Sequence, residues 1–440
     1  MPSRVSSTST KKYGKEEVMR IGSRWRLAVA AALAVAAGSV AGAQLVPSVP
    51  DVGGVINDVG RTAGNVAGDP AGRVDALRGN VGALAEARVA RLEALVRANR
   101  DRLEMTDLGP AVRGQVIAID PDPAALAAAV EAGFTIQGEE RIEGLDLRSV
   151  TLAAPRGWSV DRALSRLRRI APTGTFAANH LHGQSGEAEA IGAAALAQGR
   201  VTGPAAIGII DGGVAGNPSL TGPVQQRGFA AGAPAPSGHG TAIASLVAGQ
   251  GPVRGAAPGA HLLVADVYGR DPAGGNALAL VRALGWMVAQ RVPVVAISLV
   301  GPANPLVARA VGQARARGTW IVAAVGNDGR AAPPAYPASY PGVIAVTGVD
   351  GRGRVLIEAG RALHLDYAAP GADMAAAGAN GALVAVRGTS FAVPLVAGRL
   401  AQHVRGPDPI AALDREAVGR GRRELGRGIV CGACRTVRRR

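Results

Sequence analysis

From about Gly203 onward, short apolar runs alternate with Ala-rich stretches of helical spacing. The runs are AAIGII (205–210), AHLLVADV (260–267), VPVVAISL (292–299), TWIVAAV (319–325) and GVIAVTGV (342–349). Several are continuous rather than alternating, as strands covered on both faces must be. Between them, Ala277 to Arg291 and Pro305 to Gly318 repeat their apolar residues at helical spacing. The pattern predicts an α/β fold, a doubly wound and mainly parallel sheet with helices on both faces. Functional groups of such sheets lie beyond the carboxyl ends of the strands.

The upstream half reads differently. Residues 112–185 begin with the strand pattern VRGQVIAI (Val112 to Ile119), then acidic residues and a helical stretch from Ala124 to Ala132. FTIQGEERIEG and LDLRSVTLAA read as two more strands, and Ser159 to Ile170 as an amphipathic helix with a Ser N-cap. This β-α-β-β-α order predicts a small α+β, ferredoxin-like unit. Residues 44–111 read as a Gly- and Pro-rich linker followed by a helix over 73–105, with apolar positions Val74, Leu77, Val81 and Leu84 and then Val89, Leu92, Val96 and Leu103 after a phase shift.

Residues 1–43 carry arginines at 20, 24 and 26, an apolar run from Leu27 to Ala43, and the small-residue ending Ala41-Gly42-Ala43. That layout predicts a signal peptide with an extended n-region, and so a secreted or periplasmic protein. The run is short and Ala-rich for a membrane span, so no stable span is expected once it is removed.

Composition changes the picture in three ways. Hydrophobic residues make up 48% of the 440 and aromatics only 3%, so the core must be built from Ala, Val, Leu and Ile. The formal net charge is +15, but the positives are scattered and none form a stripe interleaved with aromatics, so no nucleic-acid partner is expected. The two cysteines, Cys431 and Cys434, stand as C-x-x-C in a tail over 431–440. They lack the strand–helix setting of a redox motif and cannot alone complete a four-ligand zinc site, which favours a local disulfide.

The candidate chemistry lies in 186–430. Asp211 ends AAIGII and precedes Gly212-Gly213; His239 sits in Ser237-Gly238-His239-Gly240-Thr241 at a helix start; Ser390 sits in Gly388-Thr389-Ser390-Phe391 before another. Taken singly, each is more often a cap or turn residue. Together they supply what acyl transfer needs. A serine hydroxyl is a weak nucleophile until a base removes its proton. Histidine can take that proton near neutral pH and return it to a leaving amine. A carboxylate holds the ring and stabilises its charged form. Asn327, in Gly326-Asn327-Asp328-Gly329, offers an amide donor for the oxyanion.

The segments IGIIDGGV, GHGTAIASLVAG, AAVGNDG and GTSFAVPLVAG resemble, in order, the four signature blocks of the subtilisin-like serine peptidases (subtilases). The order Asp, His, Ser also differs from that of α/β-hydrolases, which place the serine first in G-x-S-x-G. The resemblance covers about residues 200–430. It implies that Asp211 orients, His239 is base and then acid, Ser390 is the nucleophile and Asn327 an oxyanion donor. It implies that Ser298, Leu299, Val300 and Gly301 pair with the substrate backbone, with Val325 and Gly326 on the specificity pocket wall. Polypeptides are the implied substrates, and no cofactor or catalytic metal is implied. The unit at 112–185 resembles the family's propeptide, an intramolecular inhibitor and chaperone released by cleavage near Gly183–Glu187.

Three positions depart from the family pattern. Gly212 stands where Ser or Thr is usual, Phe391 where Met is usual, and Val393 where Thr is usual. These departures keep one alternative in view, a catalytically silent subtilisin-like scaffold or binding protein. His180 and His182 lack a carboxylate spaced to complete a metal site, and His261, His364 and His403 read as surface or core residues.

Overall fold

The computed structural model describes residues 70–185 and 206–436, and only the backbone path for 70–82; all fall within one unit, Pro50–Arg440. The signal peptide, most of the linker and the segment 186–205 lie outside the described residues. Among those described, no helix is long and apolar enough to cross a membrane.

The chain enters through helix α1 (Pro70–Ala98), strand β1 (Leu103–Thr106) and strand β2 (Gly109–Ile119). The sequence pattern places helix as far as 105. The helix instead stops at Ala98, where the Asn99 carbonyl accepts from the Arg102 and Leu103 amides and turns the chain. Leu103 is then fully buried on a strand paired antiparallel with β2. Its apolar spacing is compatible with either element, and burial decides.

Next come α2 (Pro123–Glu131), β3 (Thr135–Arg141), β4 (Arg148–Ala153), α3 (Val160–Ile170) and β5 (Thr175–His180). Both helices are capped as their sequences require: Asp122 accepts from Ala125 N and Ser159 from Arg162 N. β5 pairs with β2 and was not visible in the sequence pattern; it completes a β-α-β-β-α-β unit. β2 alternates its loyalties. Val116 and Ala118 join the unit's own core under α2 and α3, while Ile117 and Ile119 join the core of the large domain. Val116, Ile117 and Ile119 each contribute about 1.5–3 kcal/mol of burial free energy, and the single methyl of Ala118 less.

After β6 (Gly183–Gln184) the described chain resumes with the large domain: β7 (Ile207–Asp211), β8 (Val224–Gly228), α4 (Gly238–Ala248), β9 (Leu262–Asp266), α5 (Ala277–Ala289), β10 (Val294–Ile297), β11 (Leu299–Val300), α6 (Pro305–Ala316), β12 (Trp320–Ala324), β13 (Ile344–Val349), β14 (Tyr367–Pro370), β15 (Met374–Ala377), β16 (Leu383–Val386), α7 (Val393–His403) and α8 (Pro409–Glu416). Seven strands form one parallel sheet in the order β14-β13-β12-β10-β7-β9-β8. Successive residues of each central strand serve opposite layers. Ile209, Ala296 and Val322 pack with α4 and α7, whereas Ile210, Val295 and Ile321 pack with α5 and α6. This is the doubly wound α/β architecture, and it explains the unbroken apolar runs. Cys431 and Cys434 are disulfide-bonded at the far end of the chain.

Candidate active site

The carboxyl ends of β7, β10 and β12 open on one edge of the sheet, and the polar residues gather there. Asp211 is the last residue of β7 and is fully buried. Its Oδ1 accepts from the Gly212 amide at 2.7 Å, and both carboxylate oxygens lie 2.9 Å from His239 Nδ1. His239 stands in the first turn of α4, whose N-cap Ser237 accepts from the Gly240 amide. Its other nitrogen, Nε2, lies 3.1 Å from Ser390 Oγ. Ser390 occupies the turn leading into α7, and its carbonyl accepts from the Ser298 hydroxyl at 3.0 Å. Carboxylate, imidazole and hydroxyl therefore form one continuous hydrogen-bonded chain.

The departures from the family pattern acquire local reasons. A Cβ at Gly212 would stand 2.4 Å from the Ser237 hydroxyl, so this chain's Ser237 fills the space a side chain there would need. Phe391 is fully buried with its ring 5.2 Å from the His239 ring, packing on the imidazole. Val393 is buried among the α4 and α7 core residues.

Asn327 follows β12. Its Oδ1 accepts from the Thr389 amide at 2.9 Å, which leaves the side-chain NH2 as the free donor of that amide. The Thr389 hydroxyl donates to the Gly326 carbonyl at 3.1 Å, tying the two loops together. Val325 is turned into the core on the α5 and α6 side, whereas Val300 stands close to Gly326.

The space beside the triad is filled by the chain itself. β6 pairs antiparallel with β11, Gln184 opposite Leu299 and Gly183 opposite Val300. Ser185 N donates to the Ser298 carbonyl at 3.2 Å, and the Ser185 carbonyl accepts from Ser390 N at 3.1 Å. Gln184 Nε2 donates to Asp211 Oδ1 at 3.1 Å. One residue pair further on, the His182 amide donates to the Gly275 carbonyl at 2.8 Å, and Tyr268 donates to the His182 carbonyl at 2.8 Å.

These occupants and their holders, Gly275 and Tyr268, carry no signal in the sequence; HLHGQSG simply ends the small unit. The two histidines are not gathered for a metal, and among the described residues no group of three or more His, Cys, Asp or Glu is. His180 bonds Thr106 and faces the Asn304 amide, while both ring nitrogens of His182 are buried without a partner. Burial pulls the pKa of each down to about 4.

Helix α1 reaches the same rim. Arg88 and Arg91 hold Asp328 at 3.0 and 2.6 Å, and Leu84 lies against Gly329. These pairs are partly exposed, and screened pairs of this kind contribute about 0.2–1 kcal/mol each. Asp328→Asn is expected to lower stability by about 1 kcal/mol at low ionic strength. Urea midpoints should show the difference and lose it in molar salt; a salt-independent difference would assign Asp328 another role.

Three kinds of comparison bear on this site. Residues 205–409 match the model of the subtilase family, Peptidase_S8. The major intracellular serine protease of Bacillus subtilis (strain 168) is 35% identical over 174 residues, 38% of this chain and 54% of the relative. Subtilisin BL of Lederbergia lenta is 31% identical over 205 residues, 44% of this chain and 74% of the relative. The chain thus spans about half the length of the first of these, and 26% of the minor extracellular protease Epr of Bacillus subtilis. Among solved structures, fervidolysin from Fervidobacterium pennivorans, a keratinolytic enzyme related to subtilisin, shares the fold with a TM-score of 0.58 at 20% identity, covering 76% of this chain and 62% of that one.

Proposed function

Because the chain belongs to the subtilase family, we propose that it is a serine endopeptidase acting on polypeptides, made with an inhibitory N-terminal unit and exported from the cytoplasm. The observation that carries this reading is the unbroken run from the Asp211 carboxylate through His239 to Ser390 Oγ, at 2.9 and 3.1 Å.

In the proposed reaction His239 Nε2 accepts the Ser390 proton as Oγ attacks the substrate carbonyl carbon. Asp211 holds the Nδ1 proton and stabilises the imidazolium that results. The Ser390 backbone N–H and the free NH2 of Asn327 receive the charge that develops on the carbonyl oxygen. His239 then protonates the leaving amine, and water repeats the cycle on the ester. Substrate is held as an added strand on Ser298, Leu299, Val300 and Gly301, a mode that β6 already occupies. Asn327→Ala is expected to lower kcat by about 10²–10³-fold with little change in KM, measured on any peptide the enzyme cleaves.

The unit at 112–185 is proposed as the propeptide. Ile117, Ile119 and Ile142 are buried against α5 and α6, which supports a stable docked inhibitor. Export rests on the layout of residues 1–43, and cell fractionation with intact mass of the product tests it; retention of residues 1–43 in the cytosolic fraction would count against it.

The test of activity is labelling with a fluorophosphonate after self-processing, with Ser390→Ala beside it. One adduct on the wild type alone is expected. An unlabelled, full-length wild type would favour the silent scaffold.

A further inference from the structure

The strand lying in the cleft has a fixed register, and that register states which side chains the cleft admits. The geometry points to an enzyme that cleaves after small residues, serine or alanine, with a flat uncharged ring three residues before that small residue. The inference rests on the peptidase reading above and deepens it.

The residue whose carbonyl meets the Ser390 amide is Ser185. In the bond-breaking step, Ser390 Oγ would add to the Ser185 carbonyl carbon, and the C–N bond to Gly186 would break. The proton taken by His239 would go to the Gly186 nitrogen, and water would release the new Ser185 carboxylate. Side chains alternate along a strand. Gln184 points towards Asp211, so Ser185 faces the opposite way, on the side of its neighbours Ser298 and Val300.

That side is narrow. A Cβ at Gly326 would meet the two Val300 methyls at 3.6 and 3.8 Å and the Ala335 methyl at 3.7 Å. Val300, Gly326 and Ala335 thus converge on one slot, and Ser185 is buried with its hydroxyl 3.4 Å from the carbonyl of Ser298, on the strand face that Val300 shares. Gly326 has φ +87°, so its own lack of a side chain belongs to the backbone turn as well as to the space. Branched Val300 has one stiff side-chain torsion and cannot fold away to admit a large residue.

Three residues earlier the opposite holds. Three ring atoms of His182 lie 2.6, 2.8 and 2.9 Å from where a Gly301 Cβ would stand. The ring therefore covers the bare backbone of Gly301. It is 1% exposed and makes no hydrogen bond through either nitrogen, so the site accepts its shape and not its polarity.

The test uses the full chain and the protein it becomes. Intact mass of the self-processed wild type should give a new N-terminus at Gly186. Ser185→Ala should process at a similar rate, and Ser185→Phe at least about tenfold more slowly. The processed enzyme should be assayed on one peptide series carrying His three residues before Ala, Ser, Leu or Phe. Ala and Ser should exceed Phe in kcat/KM by roughly 100-fold, and Val300→Gly should shrink that ratio about tenfold. Phe or Leu equal to Ala in the wild type, or cleavage at another bond, would overturn the selectivity while leaving a peptidase. A protein that cleaves none of the peptides and takes no fluorophosphonate would remove the peptidase reading and this inference with it.

Discussion

Ser390→Ala is expected to abolish self-processing and to lower peptide hydrolysis by roughly 10⁶-fold, the scale reached when the nucleophile of a serine-protease triad is removed. The reason is that His239 and Asp211 act through Ser390. Without Oγ there is no atom 3.1 Å from Nε2 to activate, and the aligned pair has nothing to work on. The double variant Ser390→Ala/His239→Ala should therefore be no worse than the single one, because residues acting as a unit are not additive. Both variants should keep the fold, since Ser390 donates its backbone amide, not its side chain, to Ser185. A single variant that still processes itself at a tenth of the wild-type rate would show that another group is the nucleophile.

Acidification from pH 7 to pH 5 is expected to weaken the hold of the N-terminal unit on the large domain by about 2 to 4 kcal/mol, or 30- to 1,000-fold. His182 and His180 carry this effect. Burial is the cause of both lowered values, and for His182 the neighbouring His180 adds to it. Above pH 7 both rings are neutral whether the unit is docked or free, so they add no pH dependence there. Between the ordinary value of 6.5 and about 4, the free unit takes up protons that the docked unit refuses. Docking therefore weakens as pH falls through that window and levels off below it. His182 contributes most, because it lies in the cleft; His180 bonds Thr106 within its own unit and keeps part of its surroundings after release. Tyr268, which holds the His182 carbonyl, stays protonated throughout, its pKa pushed well up by burial and by the charges of Asp211 and Asp266. The measurement is the rate of fluorophosphonate capture after self-cleavage, for wild type and His182→Asn, across pH 8 to 4.5. A wild-type profile that does not differ from that of His182→Asn would remove His182 as the source.

The large domain was legible in the sequence because its strands are buried on both faces. Ile209 and Ile210 must both be apolar, whichever layer each serves, so a continuous run announces a covered parallel strand. The triad residues were legible for a related reason. Asp211, His239 and Ser390 sit at element ends among glycines, where backbones approach too closely for side chains, and those contexts survive in a linear string. The small unit was legible as far as its second helix.

What remained hidden depends on surfaces that meet only after folding. Leu103 fits helical spacing and strand pairing equally, and the turn at Asn99 chose the strand. β5 has no apolar pattern of its own, because TFAANH gains its burial from the α2–α3 core on one face, through Phe176 and Ala178, and from the α5–α6 layer on the other, through Ala177. The occupant of the cleft could not be read at all. Gly183, Gln184 and Ser185 have no periodicity and no special chemistry; they matter because β11 offers them its backbone and Ser390 its amide. The sequence by itself determined which atoms can react and which layers enclose them, since those follow from residue type and local period. Only the tertiary structure decided what fills the site, because pairing between strands more than a hundred residues apart is a matter of geometry that no local pattern encodes.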